Sequence, residues 1–205
     1  MSRTTEITKE AILDAAITQF SRYGFKKTRL SDIASVLDIS AAALFRYFTD
    51  KRALYDAAAA RGLTRWQEAA FSVVAQHDDP ISALVALARA SFDYLSDDPE
   101  FAAMIKSDPG IFPLFSGDHF ETVNDASKAM IRRLIEEGQK AGLFRVVDID
   151  RVSYLLFSVY KMFIVGGYIE TNTQTSREVF DQFIDITIRG LLTDKGAEIY
   201  RKLTG

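Results

Sequence analysis

Arg46 lies beside Phe45, on the side of a short helical segment opposite Leu44 and Phe48, and Lys51 and Arg52 follow directly behind Asp50. A guanidinium next to an exposed aromatic suits a nucleic-acid groove, where it holds phosphate oxygens or bonds two acceptors of guanine at once. Positive charge in the first turn of a helix opposes the helix dipole, and a phosphate partner would rationalise Lys51 and Arg52 there. Covalent and metal chemistry lack their residues. The chain has no cysteine and two histidines, His77 and His119, and neither stands in HExxH or a Glu-x-x-His pair. It has no GxSxG elbow and no phosphate-binding glycine loop, and pairs such as Asp97-Asp98 and Glu136-Glu137 fall at helix ends or on solvated faces. Neither an enzyme nor a cofactor or metal is expected.

The elements that must position Arg46 are legible around it. Leu30, Ile33, Ala34 and Leu37 recur at helical spacing, with Ala34 small enough to let another helix cross closely. The turn Asp38-Ile39-Ser40 follows, at a place where positive φ is often needed and Asp tolerates it better than most residues. Ser40 is the expected N-cap of a helix starting at Ala41, with Ile39 placed to staple onto Leu44. Leu44 and Phe48 then face a small core, which leaves Ala41, Ala42, Phe45, Arg46 and part of Tyr47 outward. In front, Ile12, Leu13, Ala16, Ile17 and Phe20 form one helix face, closed by Gly24 with Phe25 set to touch Phe20. Asp50 caps the next helix.

The run ILDAAITQFSRYGFKKTRLSDIASVLDISAAALFRYFTDKRALYDA, from Ile12 to Ala57, resembles the N-terminal domain of the TetR (tetracycline-repressor) family of bacterial transcription regulators. The resemblance implies an all-α protein: a three-helix helix-turn-helix domain (1-52) joined by a long helix to a helical effector-binding and dimerisation bundle (53-205). It implies a cytoplasmic homodimer on a palindromic double-stranded DNA operator, released by a hydrophobic small-molecule effector. Carried over by position, it places DNA contacts at Thr28, Arg29 and Ser31, at Ser40, Ala41, Ala42, Ala43, Phe45, Arg46 and Tyr47 on the recognition helix, and at Lys51. The chain departs from the family pattern with Ala41 where Lys or Arg is frequent, Ala43 for Thr or Ser, Phe45 for Tyr and Asp38 for Gly. Phe45 has no phenolic hydroxyl to give a phosphate. The small and apolar remainder of the face can meet thymine methyls.

Charge is distributed in keeping with this. Residues 1–65 carry eleven Lys and Arg against seven Asp and Glu, the other 140 carry fourteen against twenty-one, and the whole chain is at −3. A basic reading part and an acidic remainder fit nucleic-acid binding at one end. MSRTTEITKE has no apolar signal core, and the absence of cysteine suits a reducing compartment.

Beyond residue 50 the pattern stays helical. Lys51 to about His77 reads as one long helix; further helices are expected at Ile81–Asp97, Pro99–Lys106, Phe120–Ala141, Ile149–Glu170 and Ser176–Leu192, with a tail helix to Leu203. Residues 152–168 are the most apolar run, but they fall short of the roughly 20 residues a bilayer needs and contain Lys161, so no membrane partner is expected. The aromatic supply exceeds what a tight bundle needs. Phe92, Phe101, Met104, Phe112, Phe115, Phe120, Tyr154 and Phe157 are candidates for an effector pocket, with His119 and Lys161 as polar anchors. For the dimer interface the candidates are Phe163, Gly166, Gly167, Phe180, Phe183, Ile184, Thr187, Ile188 and Leu191.

Overall fold

A computed structural model describes residues 7–107, 118–164 and 177–204, apart from the side chains of 118–120. The described residues form helices: α1 (Lys9–Lys27), α2 (Leu30–Val36), α3 (Ala41–Leu44), α4 (Lys51–Ser72), a 3₁₀ turn (Val74–Gln76), α5 (Pro80–Asp97), α6 (Pro99–Ser107), α7 (Asp118–Lys140), α8 (Ile149–Ile164), α9 (Arg177–Leu191) and α10 (Asp194–Thr204). Among the described residues the sole β feature is an isolated bridge between Phe144 and Leu192.

Caps fix most of these ends. Thr8 accepts the Ala11 N–H at the start of α1, Asp79 those of Ile81 and Ser82 ahead of Pro80, and Asp98 that of Phe101 ahead of α6. The long helix expected to reach His77 stops at Ser72. There the Ser72 hydroxyl donates back to the Ala69 carbonyl, two β-branched valines follow, and the backbone tightens into the 3₁₀ turn.

Packing divides the chain into two compact units, one within Met1–Thr64 and Asp98–Phe120, the other within Arg65–Asp97 and Glu121–Gly205. The division differs from a cut at residue 52, because α6 returns to pack on α1 and on the first part of α4. A Cβ on Gly62 would stand 2.1 Å from the Phe101 ring, so only glycine lets that fully buried ring lie against α4. Arg61 grips Asp14 with two bonds of 2.7 and 2.8 Å, and the Thr18 hydroxyl donates to Glu100 at 3.1 Å. The core of this unit is Ile12, Ala16, Ile17, Phe20, Ile33, Ala34, Leu44 and Leu54, which includes the apolar faces expected of the first three helices.

In the second unit Phe92 stacks on Phe180 at 4.3 Å between α5 and α9, and Trp66 donates its indole N–H to the Ser91 carbonyl at 2.8 Å. Asp181 binds Arg89 and Arg177, and Arg177 also binds Asp93. Burial alone would raise the Asp181 carboxyl, but its bonds to the two arginines outweigh this and hold it below the usual carboxylate range. Gly196 opens α10 to the Leu143 carbonyl, which a Cβ there would meet at 2.2 Å.

Candidate nucleic-acid interface

The recognition segment is held by a set of short polar clamps. Gly24, at φ 72°, breaks the helical path of α1 and turns Phe25 back toward Phe20 and Tyr55, with ring centroids 6.1 and 5.2 Å away. Asp38 takes positive φ, 53°, between α2 and α3, the conformation its position called for. Ser40 then accepts the Ala43 N–H at 3.2 Å, and Asp50 accepts that of Ala53 at 2.8 Å. The helix α3 has four residues and continues as tight turns, with Arg46 N–H to Ala43 O and Tyr47 N–H to Leu44 O. Leu44 and Phe48 are buried beneath it.

On the outer side Ala42, Phe45 and Arg46 are exposed, Phe45 by 56%, while Ala41, Ala43 and Tyr47 are half-buried. Ser40, Arg29 and Ser31 are exposed as well. Tyr23 and Val36 are two further large apolar side chains open to solvent in this unit; Val36 falls off the Ile33-Ala34-Leu37 stripe, the one sign of it in the sequence.

Three of the residues placed here by resemblance turn their donors inward. The Thr28 side chain is buried and its hydroxyl lies 2.7 Å from the Gly24 carbonyl and 3.2 Å from that of Gln19. The Tyr47 hydroxyl donates to the Ile7 carbonyl at 3.0 Å. Lys51 points its ammonium at the carbonyls of Phe25, Thr28 and Lys26, at 2.7, 3.0 and 3.3 Å, and lies 4.5 Å from the Phe25 ring centre. An ammonium has three N–H groups, and three carbonyls take them. Residues 25–28 end α1, where carbonyls lack helical partners, so a cation is favoured there. Arg52 pairs with Asp56 one turn on, at 2.8 Å.

The effector-pocket candidates separate. Phe101 and Met104 are fully buried in the first unit; Phe92 and Phe157 are buried in the second. Lys161 lies 5.1 Å from the Phe157 ring centre, and its ammonium pKa is lowered by burial first and then by the charge of Lys128. Tyr154 is 67% exposed and lines no interior space. Phe112, Phe115, Gly166 and Gly167 lie outside the described residues, as do the side chains of His119 and Phe120. Trp66, which sequence reasoning passed over, stacks on Tyr94 at 5.8 Å and meets Tyr160 edge-on at 6.4 Å. Tyr160 and Trp66 both donate to the Ser91 carbonyl. Elsewhere in this unit a cleft of about 410 Å³ opens beside the 3₁₀ turn, floored by Phe71, Val74 and Leu134 and rimmed by His77, Asp78 and Glu137; none of the pocket candidates lines it.

The dimer candidates differ in burial. Phe180, Ile184, Ile188 and Leu191 are buried within the second unit, Phe180 completely. Phe163, Phe183 and Thr187 are half-buried. The apolar side chains that α8 and α9 do show to solvent are Tyr154, Leu155 and Met162, then Val179 and Ile186. Periodicity marked an apolar α9 without telling which side its own unit would use.

Among the described residues no group of His, Cys, Asp and Glu could hold a metal ion, and no helix is long and apolar enough to cross a membrane. Residues 12–58 match the family described as bacterial regulatory proteins, tetR family, and residues 80–183 match the tetracyclin repressor-like C-terminal domain. The HTH-type transcriptional regulator RutR of Escherichia coli (strain K12) is 30% identical over 145 residues, 68% of each chain. The fold is also that of FadR from Bacillus subtilis, solved in complex with stearoyl-CoA, with TM-score 0.70 and 14% identity over 90% of this chain and 100% of that one. A protein of Saccharomonospora viridis in complex with choline gives TM-score 0.70 and 22% identity over 90% of this chain and 97% of that one.

Proposed function

The chain belongs to the tetR family of bacterial regulatory proteins, a transcriptional regulator rather than an enzyme, and from that premise we propose that it is a homodimeric repressor. It binds a palindromic operator through α3 and leaves it when an apolar small molecule enters the second unit. The observation that carries this reading is the outer side of α3, where Ala42, Phe45 and Arg46 stand exposed on a segment clamped from beneath. Two such segments must reach major-groove faces about one helical turn apart, which requires two copies of the chain. The outward apolar residues of α8 and α9, with Phe163, Phe183 and Thr187, supply the surface for pairing. Operator binding places the protein in the cytoplasm, beside the chromosome.

For the effector we favour the aromatic group of Trp66, Tyr94, Phe157 and Tyr160, together with Phe92 and with Lys161 at its edge. A long apolar chain carrying an anionic group fits an ammonium beside aromatic walls, and the stearoyl-CoA bound to FadR, a protein of the same fold, supports a ligand of that kind. The ligand acts by differential affinity for the operator-competent and incompetent states, with α4 carrying the displacement. A DNA binder controlled by a protein partner, without an effector, is the competing reading.

Selection of genomic fragments by the purified chain, followed by sedimentation of the complex, tests the core proposal: palindromic fragments bound two chains at a time are expected. Binding of asymmetric fragments by single chains would remove it. Acyl thioesters and fatty acids titrated against the complex are expected to release DNA, and Lys161→Met to blunt the response; release by none of a broad apolar panel favours partner control.

A further inference from the structure

On the outer side of the recognition segment, long hydrogen-bond donors are few. The donors of Thr28, Tyr47 and Lys51 go to carbonyls of their own unit, and the Ser40 oxygen accepts the Ala43 N–H. Phosphates and the acceptor edges of bases need donors, so these three side chains cannot serve them without first releasing α1 or Ile7. On α3 and the turn after it, Arg46 remains as the long donor side chain that is exposed. Beside it are methyl groups and a ring: Ala42 exposed, Ala41 and Ala43 at its edges, and Phe45 with more than half its surface in water. Leu44 and Phe48 fill the core below, so Phe45 is not needed there.

In the major groove, thymine is the base that offers an apolar group, its C5 methyl. We propose that this protein recognises its operator chiefly through thymine methyls packed against Phe45 and Ala42, with Arg46 supplying the hydrogen bonds of the same segment. This rests on the operator-binding reading above and names the chemistry that reading requires. An apolar contact discriminates through the methyl itself, so it should be sensitive to a change that leaves every base pair and every hydrogen-bonding group intact.

Deoxyuridine is that change, because it differs from thymidine only by the missing C5 methyl. The full-length chain is used to select duplexes from a random library, and each thymine of the selected half-site is replaced in turn by deoxyuridine. Binding is expected to fall about fourfold for each contacted methyl, the transfer free energy of one buried carbon, and about fifteenfold when both half-sites are changed. A Phe45→Ala chain is expected to bind the thymine and uracil duplexes alike at the affected position, and Phe45→Leu to keep part of the discrimination. Circular dichroism on both variants confirms that they are folded. If the parent chain selects a duplex yet tolerates uracil at every position, the inference is overturned while operator binding stands. It is equally overturned if folded Phe45→Ala retains the parent's full preference for thymine. Enrichment of no duplex at all would bring down the operator reading and this inference together.

Discussion

The joint between α1 and α4 and the outer faces of α8 and α9 treat polar and apolar groups in opposite ways. At the joint, a cation that could have met solvent or a phosphate is drawn inward: Lys51 closes the end of α1 with three carbonyl bonds, and Thr28 closes it again with its hydroxyl. On α9 the charged groups bind one another and α5, as Asp181 does with Arg177 and Arg89, while Met162 of α8 and Ile186 of α9 stand 70% and 62% exposed. The first arrangement secures a geometry, because an ammonium on three carbonyls tolerates little displacement. The second leaves a surface, because apolar residues seven apart, Leu155 and Met162 on α8 and Val179 and Ile186 on α9, form an outward strip on each helix. What is exposed on the recognition segment is smaller, a few side chains on a four-residue helix, and suits a groove rather than a second helical face.

Breaking the strip should have the larger effect. Met162→Glu combined with Ile186→Glu is expected to convert a dimer into a species near 23.0 kDa by sedimentation, with helical content retained. Operator affinity should fall by roughly a hundredfold as the two half-sites lose their linkage. A variant that stays dimeric would move the interface off these helices.

Next comes the joint. Lys51→Met is expected to lower stability to urea by about 2 kcal/mol, since the carbonyls it served lose their donor. The slope of log affinity against log salt should be unchanged, because no phosphate contact is lost. A slope reduced by about one contact, with stability intact, would return Lys51 to the duplex.

Two glycines sharpen the contrast between inside and outside. Gly196→Ala drives a methyl into the Leu143 carbonyl and is expected to cost about 1–3 kcal/mol. Gly190 is exposed on α9, and a methyl added there would meet no neighbouring element within 4 Å. It should accept alanine with a gain of up to about 1 kcal/mol in helix propensity. Equal thermal shifts for the two would contradict the packing described.

The smallest effect is a pH dependence. Burial, and then the bond to Asp185, push the Tyr200 phenol up to about 12 from its ordinary 10.0. Folding therefore favours the protonated phenol: its contribution is complete below pH 10 and is lost as pH rises toward 12. Tyr200→Phe should flatten the stability profile across that window, with its cost felt in full near neutrality and shrinking as pH rises toward 12.

Much of the reading unit was legible because its signals are local. Gly24, Ser40 and Asp50 act within four residues of their own positions, and Asp38 on its own backbone; the helix faces of Ile12 to Phe20 and of Ile33 and Ala34 follow the helical repeat. The inward turn of Lys51 and Tyr47 was not legible, since their acceptors lie 23 to 40 residues away and both residue types suit a phosphate equally well. In the second unit the helices were foreseen, but not which side of α9 each apolar residue would take.

By itself the sequence determined that the chain is helical, where most helices begin, and that residues 12–57 form a helix-turn-helix, because caps, turns and periodicity are written in neighbouring residues. Only the tertiary structure decided that α6 belongs with α1, that Lys51 serves α1, and that Phe180, Ile184, Ile188 and Leu191 face inward while Val179 and Ile186 do not. Those outcomes depend on which distant surfaces meet, and the two sides of an amphipathic helix become distinguishable only when one of them is covered.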